Sequence, residues 1–321
     1  TGNDDLKWET TTQTDIGVDF GFFNQRLSGS VDYYIKKTAD ILVLPPYLGV
    51  IGEGGNRWEN GASIENEGWK FTLGYQDETE FGLRYNISGN LYTNKNKITA
   101  LPAEVKNNYG GNGLDDNILG RPINSMYGYV ADGLFKNQDE LDNSANQDGK
   151  GLGRIRYKDL NGDGVISDTD RTWIGNPNPE LGFGVNLDLA YKNFDFTMFW
   201  EGINNVDVIN FTKYQTDFWS VDDVGSNKGT RLLNAWSLDN PNSTIPALTT
   251  VDKNAESRFS TYYIENGNYV KLRLLQFGYS MPQEFLTVTP GFGLVDSQNT
   301  SADTASKTAP TNTGEYSVSP G

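Results

Sequence analysis

The sequence predicts an all-β protein: an antiparallel, up-and-down transmembrane β-barrel with long extracellular loops. Three observations predict it. Apolar and polar residues alternate in repeated runs, short turns and long Gly/Asn/Asp-rich segments alternate between the runs, and aromatic residues gather at run ends. Successive side chains of a strand point to opposite faces, so each run has one oily face and one wet face.

The runs follow in order. Ile16, Val18, Phe20 and Phe22 alternate with Asp15, Gly17, Asp19 and Gly21. After Asn24–Arg26, Leu27, Gly29, Val31, Tyr33 and Ile35 alternate with Ser28, Ser30, Asp32, Tyr34 and Lys36, which reads as a hairpin. A third run carries Trp69, Phe71, Leu73 and Tyr75. Beyond residues 77–80 a fourth sets Phe81, Leu83, Tyr85, Ile87, Gly89 and Leu91 against Gly82, Arg84, Asn86, Ser88, Asn90 and Tyr92. A fifth has Phe183, Val185, Leu187, Leu189 and Tyr191, and a sixth, past a tight turn at Asn193, has Phe194, Phe196, Met198 and Trp200. A seventh, over 269–280, puts Leu275, Phe277 and Tyr279 outward, with a bulge expected near Leu274.

Short turns near 24–26, 77–80 and 193 alternate with long segments near 37–66, 93–180 and 202–266. Short turns on one side and long loops on the other are the layout of an outer-membrane barrel. Phe22, Phe23, Trp69, Tyr75, Phe81, Tyr92, Tyr191, Phe194 and Trp200 stand where aromatic girdles belong. By parity Asp19, Asp32, Lys70, Arg84, Asn86, Asn90, Asn186, Asp188 and Glu201 face inward, toward a lumen or plug.

Composition narrows the functions. The formal charge is -16, so no basic stripe is available for nucleic acid. Cysteine and histidine are both absent, which excludes disulfides, thiol and Ser-His-Asp catalysis, and the usual zinc ligands. No apolar run reaches the length of a membrane-spanning helix. The chain opens in polar sequence with neither an initiator Met nor a signal-peptide pattern, and reads as part of a longer protein. Residues 287–321, rich in Ser, Thr, Ala, Asn and Pro, read as a low-complexity tail.

One segment has the spacing of a metal site. In 159–170, Asp159, Asn161 and Asp163 hold the first, third and fifth positions of a calcium loop, and Gly164 makes the tight bend. Val165 would offer its carbonyl, Ser167 a hydroxyl or a bridging water, and Asp170 closes the loop in place of the usual Glu. Leu160 and Ile166 would anchor it to an apolar layer, and the bound Ca2+ would stiffen a long loop. A string of Asx turns is the plainer alternative.

Other candidates are weaker. Asp4/Asp5, Asp115/Asp116 and Asp222/Asp223 are read as solvated loop acids, and no catalytic residue is assigned. The glycine stretches 52–55 and 110–113 lack the strand-to-helix setting of a phosphate loop. Tyr109, Tyr127, Tyr129, Trp219 and Trp236 could stack on sugar rings or simply pack the loops.

Several motifs together resemble the SusC/RagA-type TonB-dependent outer-membrane transporters. They are Leu6-Lys7-Trp8-Glu9 with 14–23, then 31–42, then 60–68, which is similar to the family's N-x-G-x-x-x-N-x-G element. Met126-Tyr127-Gly128-Tyr129, Asp132-Gly133-Leu134-Phe135, the 159–170 loop, Gly175-Asn176-Pro177-Asn178-Pro179, Leu272-Arg273-Leu274 and Gly278-Tyr279 follow in order. The resemblance implies that 1–286 is the C-terminal part of a plugged barrel of about twenty-two strands, with the plug absent. It also implies import of oligosaccharides or peptides, energised through TonB, under a SusD-like lipoprotein lid. The setting it implies is the lipid of the outer membrane of a Gram-negative, Bacteroidetes-like bacterium. The rival is a soluble, calcium-stabilised carbohydrate-binding β-protein, which would bury Phe20, Val31, Leu83, Leu187 and Phe196 against a second layer.

Overall fold

The alternating runs become strands of one sheet. The computed structural model describes residues 6–43, 58–102, 117–218, 227–249 and 253–282. Its first strands are β1 (Thr10–Phe22), β2 (Leu27–Val43), β3 (Glu59–Glu78), β4 (Leu83–Thr93) and β5 (Lys95–Ala100). β6 (Met126–Tyr129), β7 (Ala131–Leu134), helix α1 (Gln138–Asn143), β8 (Ile155–Tyr157) and β9 (Arg171–Gly175) follow. Then come β10 (Leu181–Tyr191), β11 (Phe194–Asn204), β12 (Asp207–Ile209), α2 (Phe211–Asp217), β13 (Ile264–Asn266) and β14 (Tyr269–Tyr279).

The seven predicted runs are β1, β2, β3, β4, β10, β11 and β14, which pair antiparallel in that order, with β5 extending the sheet from β3. Among the described residues β1 and β14 do not pair with each other, so the sheet is open. The predicted bulge is present: register shifts between Phe199 and Trp200, leaving Arg273 over, with its guanidinium 3.0 Å from Glu201. The compact unit runs from Thr1 to Tyr279. The expected boundary at 286/287 and the tail lie outside the described residues.

The three short turns share one end of the sheet, because Phe22 pairs with Leu27, and Tyr191 pairs with both Phe194 and Leu83. The long connections leave from the other end.

Register gathers the apolar residues into continuous rows across seven strands. One row reads Phe22, Leu27, Tyr75, Ile87, Leu187, Met198, Leu275; the next reads Phe20, Gly29, Leu73, Gly89, Val185, Trp200, Leu272. Nothing of the described chain covers them. Val18 is 66% exposed, Leu73 55% and Phe277 69%, and Phe20, Val31, Leu83, Leu187 and Phe196 are none of them buried. The opposite face is mostly polar, with Phe199 and Leu274 among its apolar exceptions, and the nine residues assigned inward by parity all lie on it. Tyr92 departs from the expected girdle: it sits on the polar face beside Lys70. Tyr75 and Trp200 fall within the apolar band, and Phe81 lies in the turn before β4.

Glycines on both faces have a steric job. Phe20, Tyr34, Tyr92 and Phe183 stand directly opposite Gly29, Gly68, Gly182 and Gly202, and each ring lies over its glycine. The ring covers backbone that the glycine leaves bare. Gly68 is the tightest, since a Cβ there would sit 1.9 Å from the Thr93 carbonyl oxygen. This is the point where β3 exchanges β4 for β5. Gly68→Ala is expected to destabilise the sheet by about 1–3 kcal/mol through overpacking against backbone. Gly89→Ala, whose Cβ would meet only the Gly184 carbonyl at 3.5 Å, is expected to be near neutral. Thermal unfolding of the two variants, followed by loss of β-sheet circular dichroism, separates them.

Candidate functional site

The polar face is built from short side chains that hydrogen-bond across strands. Asp188 is its hub: its carboxylate accepts from Asn86 at 3.2 Å, from Thr197 at 2.9 Å and from Asn186. Ser30 and Thr72 bond at 2.8 Å. An open groove between them is lined by Asp19, Ser28, Ser30, Thr72, Ser88, Asn90 and Asn186. Lys70 lies 4.9 Å from the Tyr34 ring, and the Tyr34 hydroxyl donates to Asn94 at 2.9 Å. Such a wall exchanges hydrogen bonds with hydroxyls and amides and carries charges of both signs. Among the described residues no three Asp, Glu, His or Cys side chains are grouped to hold a metal ion.

The buried core lies in the long connections. The described residues 117–180, 205–218, 227–249 and 253–268 fold together as a cap around Tyr129, Leu134, Ile155, Tyr157, Ile166, Phe218, Trp236 and Tyr263. Short strand pairs β6–β9, β7–β8 and β12–β13 frame it. Inside runs a closed polar lattice. Glu256, fully buried, is 2.8 Å from Arg154 and accepts the Ile155 amide at 3.1 Å. Gln147 donates to the Ile155 carbonyl and to Asn254, both at 2.7 Å, and accepts the Tyr157 amide at 2.9 Å. Sequence reasoning missed these residues. The partners lie about a hundred positions apart, and no local periodicity marks them.

The 159–170 segment is a chain of Asx turns tied to this core. Asp159 accepts the Gly162 and Gly164 amides at 2.7 and 2.8 Å, and both glycines have positive φ, 76° and 80°. Asn161 caps the Asp163 amide and Asp163 that of Val165. Asp170 is fully buried, and its two oxygens accept the Leu160 and Ser167 amides. Ile166 is in the core, as expected, and Leu160 is half-buried. The neighbouring Asp168 accepts from Tyr129 at 2.8 Å; burial first, and then this bond, push the Tyr129 hydroxyl up to about 12.

Of the aromatics considered for sugar stacking, Tyr129 and Trp236 are core residues, and Tyr127 packs on Trp173 with ring centroids 4.9 Å apart. Tyr109, Trp219, the three acid pairs and both glycine stretches lie outside the described residues.

The family model "TonB dependent receptor-like, beta-barrel" matches residues 1–206, which takes in the first six of the seven long strands. The chain belongs to the TonB-dependent receptor β-barrel family. It is 34% identical over 298 residues to TonB-dependent receptor P3 of Formosa agariphila, covering 89% of this chain and 28% of that protein. It is 27% identical over 290 residues to TonB-dependent receptor SusC of Bacteroides thetaiotaomicron, covering 89% and 27%. Among solved structures, the RagAB peptide transporter superposes with a TM-score of 0.68 at 25% identity, covering 88% of this chain and 30% of that one. The chain thus spans a little under a third of the length of the relatives it matches.

In this TonB-dependent receptor barrel the shared motifs turn out to be architectural. Asn60 joins three segments: its amide donates to the Lys7 carbonyl at 2.9 Å and to the Asp40 carbonyl, while its oxygen accepts the Lys7 amide at 2.7 Å. Asn66 accepts from Asn96 at 2.8 Å. Gly128 lets β6 approach Phe259, whose carbonyl accepts the Tyr129 amide at 3.0 Å. Leu134 and Phe135 are buried in the cap. Asn176 clasps Asp207 through its amide and its carbonyl, each bond 2.8 Å. The motifs build the cap and its seams with the sheet.

Proposed function

We propose that this chain forms part of the barrel of an outer-membrane importer of oligosaccharides or peptides. The apolar rows meet lipid, the polar face lines the passage, and the cap meets substrate and a SusD-like lipoprotein. TonB supplies the energy through other parts of the protein. The observation that carries this reading is the uncovered apolar face. It extends from Tyr33 and Trp69, where the Tyr33 hydroxyl reaches Glu67 at 3.2 Å, to Tyr191, Phe194 and Tyr279. Above Trp69 the same face becomes the charged cluster Lys37–Glu65–Lys97. Along the strands the band is about ten residues long, or about 25 Å tall at a barrel tilt of about 40°, the height of a lipid-facing band. A soluble protein would leave no such face bare. No helix of the described residues is long and apolar enough to cross a membrane, so any crossing falls to strands.

The test is genetic. Deleting the gene in its own host should abolish growth on one oligosaccharide or peptide class, restored by the full-length gene only when TonB is functional. The protein should partition with outer membranes and copurify with a surface lipoprotein. Unchanged uptake, or recovery of the protein in the soluble fraction, would overturn the reading.

A second proposal concerns the 159–170 loop: it takes Ca2+ as a stiffening ion. The Asp159 carboxylate already gathers the turn, and Asp159, Asn161, Asp163, Ser167 and the Val165 carbonyl supply the hard oxygens that calcium prefers. Asp170, its oxygens already engaged by amides, would add its remaining lone pairs. Millimolar calcium is expected to slow proteolysis within the cap, and Asp163→Ala to remove that effect. Identical cleavage rates with calcium and with chelator would rule the ion out.

A further inference from the structure

One pocket of the cap differs in charge from the rest of this acidic chain. Of about 350 Å³, it is walled by β7, α2, the 230–234 turn and the 261–264 segment. Lys136, Lys213 and Arg231 line it together with the hydroxyl residues Ser243, Thr244 and Thr261, and among the described residues no carboxylate does. In a chain with 42 acidic residues against 26 basic, three cations line this one pocket, with the nearest acids, Asp217 and Glu265, outside its lining.

The three cations keep donors to spare. The Lys136 side chain has no partner among the described residues. Lys213 gives one hydrogen bond, to the Tyr262 carbonyl, and its ammonium lies 3.9 Å from the Tyr262 ring centroid. Arg231 pairs with Asp217 at 3.2 Å behind the wall, which leaves most of its five N–H groups unused. Asp217 is itself held by the Tyr262 hydroxyl at 2.7 Å, so it anchors the guanidinium rather than filling the pocket. Glu265, near Lys213, is turned to Asn210 at 3.0 Å. The Thr261 hydroxyl accepts the Ala131 amide at 2.9 Å and keeps its proton to donate. Burial, then the neighbouring Arg231 charge, lower the affinity of Lys213 for its proton, against the opposite pull of Glu265 and Asp217.

We propose that this pocket binds a carboxylate carried by the transported oligomer. The inference rests on the import reading and narrows it to acidic cargo. An ammonium and a guanidinium flanked by hydroxyls match a carboxylate in charge and in hydrogen-bond count. The carboxylate could belong to a uronic acid or to an acidic peptide, and separate ligands distinguish the two sources.

The full-length protein in detergent is titrated calorimetrically with trigalacturonate, maltotriose, triglutamate and trialanine. One acidic oligomer should bind at least about tenfold more tightly than its neutral counterpart at low salt, and lose that margin as salt rises. Lys136→Gln, at an exposed position that leaves the cap intact, should cost the acidic ligand about tenfold and spare the neutral one; Lys213→Met should do the same. Equal binding of acidic and neutral oligomers, or acidic binding unchanged in both variants, overturns the proposal. Import of neutral oligomers with no acidic preference would sink the pocket alone. Failure of the deletion strain to lose any uptake would sink the import reading instead.

Discussion

Leu187→Arg should all but abolish assembly of the barrel, whereas Asn186→Arg, one residue away, should be accepted. Leu187 sits in the middle of β10, paired with Ile87 on one side and Met198 on the other, within an unbroken apolar row. Arginine at the bilayer midplane of a barrel costs about 2–4 kcal/mol, a large part of the net stability of a typical domain. Asn186 points to the polar face, between Ser88 and Phe199. There an arginine reaches water and the Asp188 carboxylate, and the loss is confined to one hydrogen bond, about 1 kcal/mol. Both variants are expressed and scored for outer-membrane recovery and for the mobility shift between unheated and boiled samples. Equal tolerance of the two substitutions would mean that the apolar face is covered by protein, and the membrane reading would fail with it.

That contrast was available from the sequence, because a period of two is a local signal. Parity alone placed Asp19, Asn90 and Glu201 on one face, and they share a row of the sheet. The Arg273 bulge was legible too, since alternation breaks at Leu274. Strand length was less so. β2 reaches Val43 and β3 starts at Glu59, well past the clean alternation, because above the apolar band the outward positions become Lys37, Glu65 and Lys97 and the contrast between faces disappears. The cap was illegible for a different reason. Its core joins residues such as Tyr129 and Tyr263 that are far apart in the chain, within short strands that lack enough residues to show a period. No local pattern marked Gly68 and Gly182 for ring packing, since only the register shows which aromatic stands opposite each. The calcium spacing was visible, but its side chains are seen satisfying backbone amides, work that the plainer Asx-turn alternative also describes.

The buried pair Arg154–Glu256 gives the second large effect. Glu256 is fully buried, and its two oxygens serve Arg154 and the Ile155 amide. Arg154 also donates to the Ala247 carbonyl, so the pair joins the 153–157 stretch to both the 245–247 and the 254–256 stretches. Glu256→Ala would strand a largely buried guanidinium and one buried amide, and removing one member of such a pair costs about 3–5 kcal/mol. The cap buries little apolar area outside its small core, so a loss of that size should open it locally while the sheet stays formed. Limited proteolysis of the membrane-embedded variant is expected to cut within 136–175 or 230–258, with the heat-dependent mobility shift preserved. Glu256→Gln, which keeps an acceptor for the Ile155 amide but removes the charge, should fall between wild type and Ala. A barrel lost together with the cap would show instead that the cap organises the sheet, and that the two cooperate as one folding unit.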